Sequence, residues 1–585
     1  MPALKLVAYA SCDELLASVR QAAKASVGPY GFTGGGDLRF GIPEMARADA
    51  LGALPPAAAK AGDGGTQQQG YSGTNTHEKG VDEPDLVKTD GKRVVVVKGG
   101  SLHVIDAASR RETHRLPVDQ GAHQILLSGD RVLVLSGGYA PVYSDMPTRD
   151  IMPSGRGTTL IQMIDIGGAP KVVGEFKIDA RLIGARQVGS MVRIVTASTP
   201  KVAFPRWESK ATVEQKLAAN RETIDKTPID AWLPDIVVNG QSRKLDCGDI
   251  SRPDEFSGAS MVTLLSFNLG AATLSQGDPV VLMADGDTVY GSGPNLYVAN
   301  DQRWRMWRSD VWNPQQFKPK TDFYQYDVTT PKPTYVASGT VPGWLLNQYS
   351  MSEFDGVLRV ATTSDAEGGN TSSSSVYTLA KEGGSLKQIG EVGGLGKGER
   401  IYAVRFVGKI GYVVTFRQTD PLYTLDLGDP RRPRVVGELK IPGYSAYLHP
   451  VSDSRLIGVG QDATEQGRVQ GTQVSLFDVG NLAEPKRVAQ HKIARAHSEA
   501  ESDPHAFLYW PETKLLVIPV NSKALLLRVD NATLTEIATV SHSSAQYGDP
   551  IRRSLVIGDT LWTISHRGAM ASSLDGAREL AFVNL

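Results

Sequence analysis

The feature that most constrains this chain is repetition. From Leu86 onward, two short β-rich runs joined by a tight polar turn recur at roughly even spacing. The first copies are Leu86 to Val97, turning at Asp90-Gly91, and Ile125 to Leu135, turning at Gly129-Asp130. Asp-Gly favours a hairpin because the primed turns need positive φ, which glycine supplies without strain. Comparable turns fall near Gly189, Gly293, Asp355-Gly356, Gly408, Asp453, Glu512 and Gly558-Asp559, giving about nine hairpins.

A third strand follows most hairpins and ends in an apolar-Asp-apolar triplet. A proline and a fourth strand come next. Ile164-Asp165-Ile166 before Pro170 and Leu425-Asp426-Leu427 before Pro433 are the clearest copies, with Asp327 and Asp478 on the same plan and weaker echoes at Asp106 and Asp530. These aspartates read as turn caps. Four strands per unit predict an all-β chain built as a single large β-propeller of eight or nine blades, because a blade buries its faces only against its neighbours. The last unit shows three strands, Ser554 to Ile564 and Glu579 to Leu585, so Lys5 to Ala10 from the other terminus is the expected ring-closing fourth.

The remaining segments are organised around that series. Residues 1–32 read as a strand and a helix, Ser11 to Val27, capped by Ser11 and stopped by Gly28-Pro29. Residues 33–79 are rich in Gly, Ala, Pro and Gln and read as a flexible connector, leaving 80–585 for the propeller. Two insertions interrupt it. The first, at about 201–258, carries a helix from Ser209 to Ile224 and Cys247; the second, at about 301–321, sets Trp304, Trp307 and Trp312 among Arg303, Arg305 and Arg308. Interleaved Arg and Trp can stack on a sugar, a base or a peptide, or pack together as a lid.

With 62 basic against 63 acidic residues, charge gives no case for nucleic acid. No apolar run is long enough to span a bilayer. The first ten residues are too short for a signal peptide, so the protein is either cytosolic or begins after a removed leader. Cys12 and Cys247 could form one bridge across the chain or remain two separate thiols.

Chemistry is expected where connections enter the inner strand of each blade, around the channel mouth. That register places Asp82, Glu83, Asp85, His123, Arg181, Arg400, His505 and Asp549 there. Asp82, Glu83 and Asp85 are oxygen donors of the kind calcium takes, though their spacing fits no EF-hand loop; otherwise they bond neighbouring loops and set how the chain enters the ring. The run from His497 to His505 mixes imidazole and carboxylate and is either a metal or acid–base site or a solvated loop. Nucleophile elbow, Walker loop, dinucleotide fingerprint and zinc-helix motifs are absent from the sequence.

Gly80-Val-Asp-Glu-Pro-Asp-Leu-Val-Lys-Thr-Asp-Gly91 after Thr74-Asn75 carries a family resemblance, joined by Phe416 to Tyr423, Lys440 to Pro450 and Asp503 to Pro511. The chain resembles bacterial and archaeal secreted proteins with a C-terminal β-propeller domain distantly related to WD-40 repeats. The resemblance implies the propeller, export and surface attachment, with no established reaction or cofactor. Export in turn favours a disulfide between Cys12 and Cys247. The expected role is a secreted binding or scaffold module for a protein or glycan at the channel mouth, located outside the cell or on its surface. The alternative is a metal-dependent hydrolase or lyase at that mouth.

Overall fold

In a computed structural model, nine four-stranded antiparallel units follow one another among the described residues. Those residues are 6–32, 70–140, 156–205, 211–254, 257–258, 260–301, 319–364, 372–416, 420–464, 466–542 and 549–585. Units 1 to 9 span 87–117, 122–178, 181–283, 288–342, 351–395, 400–441, 444–494, 508–540 and 551–584. All nine turns expected from the sequence join the first and second strands of successive units. At the first, Gly91 has φ of +83°, and a Cβ there would lie 2.5 Å from the Tyr71 ring.

The strand sequences explain why the units form a ring. A blade is covered on both faces, so its central strands read as unbroken apolar runs whose alternate residues face opposite neighbours. Val94 and Val96 pack with Trp562 and Ile564 of unit 9, while Val95 and Val97 pack with Ile125 and Val132 of unit 2. Leu516 and Ile518 likewise face unit 7, and Leu515 and Val517 face unit 9. Nine apolar clusters fill the nine junctions, the last joining unit 9 to unit 1 and so closing a nine-bladed β-propeller.

Closure differs from the expected shared blade. Unit 9 draws all four strands from the C-terminal end, with Gly568–Ser573 as the third. Its sequence, Gly-Ala-Met-Ala-Ser-Ser, has little β propensity and hides the strand from a sequence reading. The strand Leu6–Ala8 instead pairs with Ile250–Pro253 of the first insertion, on the far edge of unit 3.

The triplet aspartates are turn caps. Asp165, Asp327, Asp426 and Asp478 each accept the amide of the second residue onward, at 2.8 to 3.0 Å. Asp165 and Asp478 also pair with Arg131 and Arg455 at the start of the second strand.

Helix α1 (Cys12–Ser26) starts at Ser11, whose hydroxyl accepts the Glu14 amide, and buries Leu15, Val19 and Ala23 in the cluster between units 2 and 3. Helix α2 (Val213–Lys226) starts four residues later than the sequence pattern suggests, where Thr212 and Gln215 form a capping box. Cys12 at the head of α1 is bonded to Cys247, with Cα atoms 5.3 Å apart, so the bridge fastens the first insertion to the N-terminal helix. Both thiols are consumed. The tryptophans of the second insertion and most of the expected connector, residues 33–69, lie outside the described residues.

The bridge closes a loop of 235 residues, for which chain-entropy reasoning gives a stabilisation of roughly 5 kcal/mol. Thiol titration of the unfolded protein without reductant is expected to find no free cysteine, and Cys247→Ser to lower stability by about 2–5 kcal/mol. Two titratable thiols would contradict the bridge.

Candidate functional site

Residues 70–79, which composition places in a connector, belong to the interior of the ring. The N–H of Ser72 donates to Val556 O at 2.8 Å on the first strand of unit 9. Asn75 donates to Tyr447 Oη of unit 7 at 2.9 Å and to Pro504 O before unit 8 at 2.8 Å. His77 packs at a tilt against Tyr349 and Tyr290, beside units 5 and 4, and Tyr290 donates to Glu78 at 2.8 Å. Asp82 then exchanges two backbone hydrogen bonds with Gln187 of unit 3, and Asp85 exchanges two with Ile125 of unit 2. A single segment can reach the first strands of units 9, 7, 4, 3 and 2 in that order only by running round the inside of the channel. Residues 71–85 are therefore a channel plug, and local composition misses it because every partner is distant in sequence.

The inner strand of each blade is a sheet edge with unpaired amides and carbonyls. Tyr71, Asp82 and Asp85 bridge to Ile557, Gln187 and Ile125 and so satisfy three of these edges. Side chains then lock the plug by charge. Lys88 donates to Asp82 at 2.7 Å. Buried Glu83 lies 3.3 Å from Arg186 Nε and 3.2 Å from His505 Nε2. Buried Asp85 accepts from Arg553 Nε at 2.8 Å. Arg553 also reaches Glu499 at 3.2 Å and forms a charged hydrogen bond to Asp503, whose other oxygen is 3.6 Å from His505 Nδ1.

These contacts decide protonation. Burial disfavours charge on His505, but the Glu83 hydrogen bond and the charges of Asp85 and Asp503 outweigh it and raise its pKa above the ordinary value. Burial likewise opposes the charge on Arg553, and Asp85, Asp503 and Glu499 overcome it. For Asp503, burial is outweighed by Arg553 and His505, which hold the carboxyl below its usual range. At three other histidines the sign reverses. Burial, with Arg405, Arg186 and Arg359 nearby, keeps His77 well below its ordinary pKa. Burial and Arg405 push His449 down to about 3, and burial takes His542 to about 4 against the charge of Asp549.

The structure thus brings Glu83, Asp85 and His505 into one cluster and places the other expected residues apart from it. Asp82 is held by Lys88 and caps the Glu83 amide. His123 is exposed, with Nδ1 2.9 Å from Gly121 O. Arg181 opens unit 3, and Arg400 opens unit 6, 5.6 Å above the Tyr402 ring. Asp549 accepts the Arg567 amide at 3.0 Å and the Ser565 hydroxyl.

The expected calcium set does not converge. Asp82, Glu83 and Asp85 each face a different cation, so their oxygens do not fit a shared metal. Among the described residues, no group of three His, Cys, Asp or Glu side chains is placed to hold one. Nor is the His497 to His505 run a solvated loop. Its acids are divided among Arg552 and Arg553 for Glu499, Gln461 and Thr472 for Glu501, and Arg553 for Asp503.

The arginines are the residues sequence reasoning overlooks. Arg186, Arg405 and Arg553 lie in first strands and Arg359 in a second strand, each 7% exposed or less. A cation inside an otherwise apolar central strand is the available signal, since a buried charge requires a partner.

Two cavities flank the cluster, and Asp85, His505 and Arg553 line both. One, of about 290 Å³, is lined by plug residues Tyr71 to Thr76 and Gly80 to Asp82 together with Gln187 and Leu555. The other, of about 270 Å³, is a vestibule where inner strands begin, bounded by Lys98, His123, Gln124, Asp503, Arg552 and His566.

The matching family model agrees with this architecture. A model of the β-propeller domain matches residues 71–576, starting at the first plug residue. A protein of Methanocaldococcus jannaschii described as uncharacterised is 39% identical over 231 residues, which are 39% of this chain and 35% of that protein. The chain therefore spans about a third of that relative. One of Archaeoglobus fulgidus, also described as uncharacterised, is 27% identical over 524 residues, 79% of this chain and 77% of its own. Among solved structures, AztD of Citrobacter koseri covers 86% of this chain and 94% of its own at 10% identity and a TM-score of 0.38. A putative 6-phosphogluconolactonase of Bacteroides uniformis covers 55% and 92% at 13% identity and 0.32.

Two outcomes follow from the cluster. Removing Arg553 leaves the buried Asp85 carboxylate uncompensated, so Arg553→Gln is expected to cost about 3–5 kcal/mol in denaturant unfolding, and Asp85→Asn less, because Arg553 keeps Glu499 and Asp503. Their double mutant should cost less than the sum, and strict additivity would refute the pairing. For pH, the raised His505 contributes stability that is full below about 6.5 and is lost as pH rises through its folded pKa. The depressed His77, His449 and His542 act oppositely, because the unfolded chain takes up protons first as pH falls below about 6.5. Unfolding free energy should therefore peak near neutrality, and His505→Gln should flatten the limb on the alkaline side of that peak. A monotonic profile would contradict this.

Proposed function

The chain belongs to the β-propeller domain family, and on that premise we propose that it is an exported binding or scaffold module, engaging a protein or glycan through the channel-mouth face. The observation that carries this reading is the internal pairing of the mouth's ionisable groups. A general base needs a carboxylate or imidazole ready to take a proton. Here Asp503 is held ionised by Arg553 and His505, and His505 is biased towards its protonated form by Glu83. A metal-dependent hydrolase or lyase would need oxygens that are already committed to Lys88, Arg186 and Arg553.

What remains is a rigid face over a plugged channel, with loops presented on a fixed frame, the arrangement from which loop-based recognition works. The Cys12–Cys247 bridge supports export, since such bonds persist in oxidising compartments. No helix of the described residues is long and apolar enough to cross a membrane. Nucleic acid is a poor partner for a chain with 62 basic and 63 acidic residues.

Thermal unfolding of the full chain with calcium and with a chelator separates the readings. The proposal expects the two midpoints to agree; a calcium-dependent rise of several degrees, the mark of a ligand that binds only the folded state, would overturn it. Peptide and glycan arrays probed with the full chain test the face. Binding should be lost on Gln124→Trp, and binding indifferent to that substitution would place recognition elsewhere.

A further inference from the structure

The two cavities beside the ionic cluster differ in the donors they offer, and that difference points to a ligand. The cavity beside the plug sets Lys88, Arg553 and His505 against Asp82 and Asp85. The mouth vestibule sets Lys98, Arg552 and Arg553 against Asp85 and Asp503, with Glu499 shared by the two arginines, and has three imidazoles, His123, His505 and His566, on its wall.

The acids of the vestibule are also the less available groups. Asp85 is 4% exposed and spends one carboxylate oxygen on Arg553 Nε and the Leu86 amide. Asp503 is bonded to Arg553 and caps the His505 amide at 3.1 Å. The cations sit nearer solvent. Arg552 is 40% exposed in its side chain and turns Nε and Nη2 to a single oxygen of Glu499, at 3.2 and 3.1 Å. That arrangement leaves Nη1 outside the Glu499 pair. Lys98 gives one hydrogen bond to Leu585 O at 2.7 Å, and an ammonium has three to give. His123 and His566 are exposed at the rim. The floor is fixed, because Arg553 is anchored by three carboxylates.

We propose that this vestibule binds a small anion of carboxylate or phosphate chemistry, with Arg552 and Lys98 as its principal contacts and His123 and His566 as rim donors. The proposal rests on the reading of the channel mouth as a binding face and names what that face takes. A volume of about 270 Å³ suits a compact, multiply charged molecule and is just below the ordinary range for small-molecule clefts. Arginine favours such groups because its planar donors match two oxygens at once.

Calorimetric titration of the full chain at constant ionic strength tests it, with citrate and inorganic phosphate as separate probes and glucose and spermidine as neutral and cationic controls. Citrate or phosphate should bind, the preferred probe revealing whether carboxylate or phosphate is the better match, and the controls should not. Arg552→Gln and Lys98→Gln should each weaken binding about tenfold, the loss of one charged contact. Arg552→Gln also removes one of the two partners of Glu499, which keeps Arg553; Lys98→Gln leaves the ionic cluster intact and keeps the test valid should the first variant unfold. Absence of binding by either anion, or equal affinity in both variants, would overturn the inference. If the anions fail while array binding is still blocked by Gln124→Trp, the anion site falls and the binding module stands. If both fail, the mouth is not the binding face.

Discussion

The structure depends on how a wide ring satisfies its own inside edge. Nine blades present nine inner strands to a channel, and each unpaired amide or carbonyl there costs free energy unless it finds a partner. Residues 71–85 supply partners by running round the interior and adding backbone bridges at Ile557, Gln187 and Ile125. Charge then fixes the plug. Arg186 and Arg553 rise from the blades to Glu83 and Asp85, and His505 ties the same cluster to the loop before unit 8. The unit 9 to unit 1 junction closes the ring and the plug ties its inner edge together, while the N-terminal strand serves an outer edge of unit 3.

This arrangement changes what the acids of the stretch Gly80 to Asp85 mean. In sequence they look like a ligand set for a hard cation, since three carboxylates lie close together before a strand. In space successive residues of the extended plug point to different blades, and each carboxylate finds its own cation. Buried ion pairs repay their desolvation only when geometry and hydrogen bonding are good. Here they tie the plug to particular blades, Glu83 to unit 3 and Asp85 to unit 9.

Much of the architecture is legible in the sequence, for a physical reason. Hairpin turns demand particular residues, so Asp90-Gly91 and its eight counterparts mark the units, and Asp165, Asp327, Asp426 and Asp478 mark their third strands. Both signals are local. The Ser11 cap of α1 is local too. What escapes is whatever depends on distant partners: the plug role of Asn75 to Glu78, the pairing of Leu6–Ala8 with Ile250–Pro253, and the small-residue strand Gly568–Ser573. In the site, Glu83, Asp85 and His505 are visible as candidates but their partners are not. Arg186, Arg359, Arg405 and Arg553 become informative only once their strands are known to be buried.

The central claim is that residues 71–85 are part of the folded ring and not a detachable connector. Native-state hydrogen exchange measures this directly at the amides of Ser72, Asp82 and Asp85 and of their partners Ile125 and Gln187. If the plug is integral, these amides exchange only through global unfolding, with the same free energy as core amides such as Val95 and Val517. Exchange of Ser72, Asp82 and Asp85 through a low-energy local opening, while Val95 and Val517 stay protected, would contradict the account.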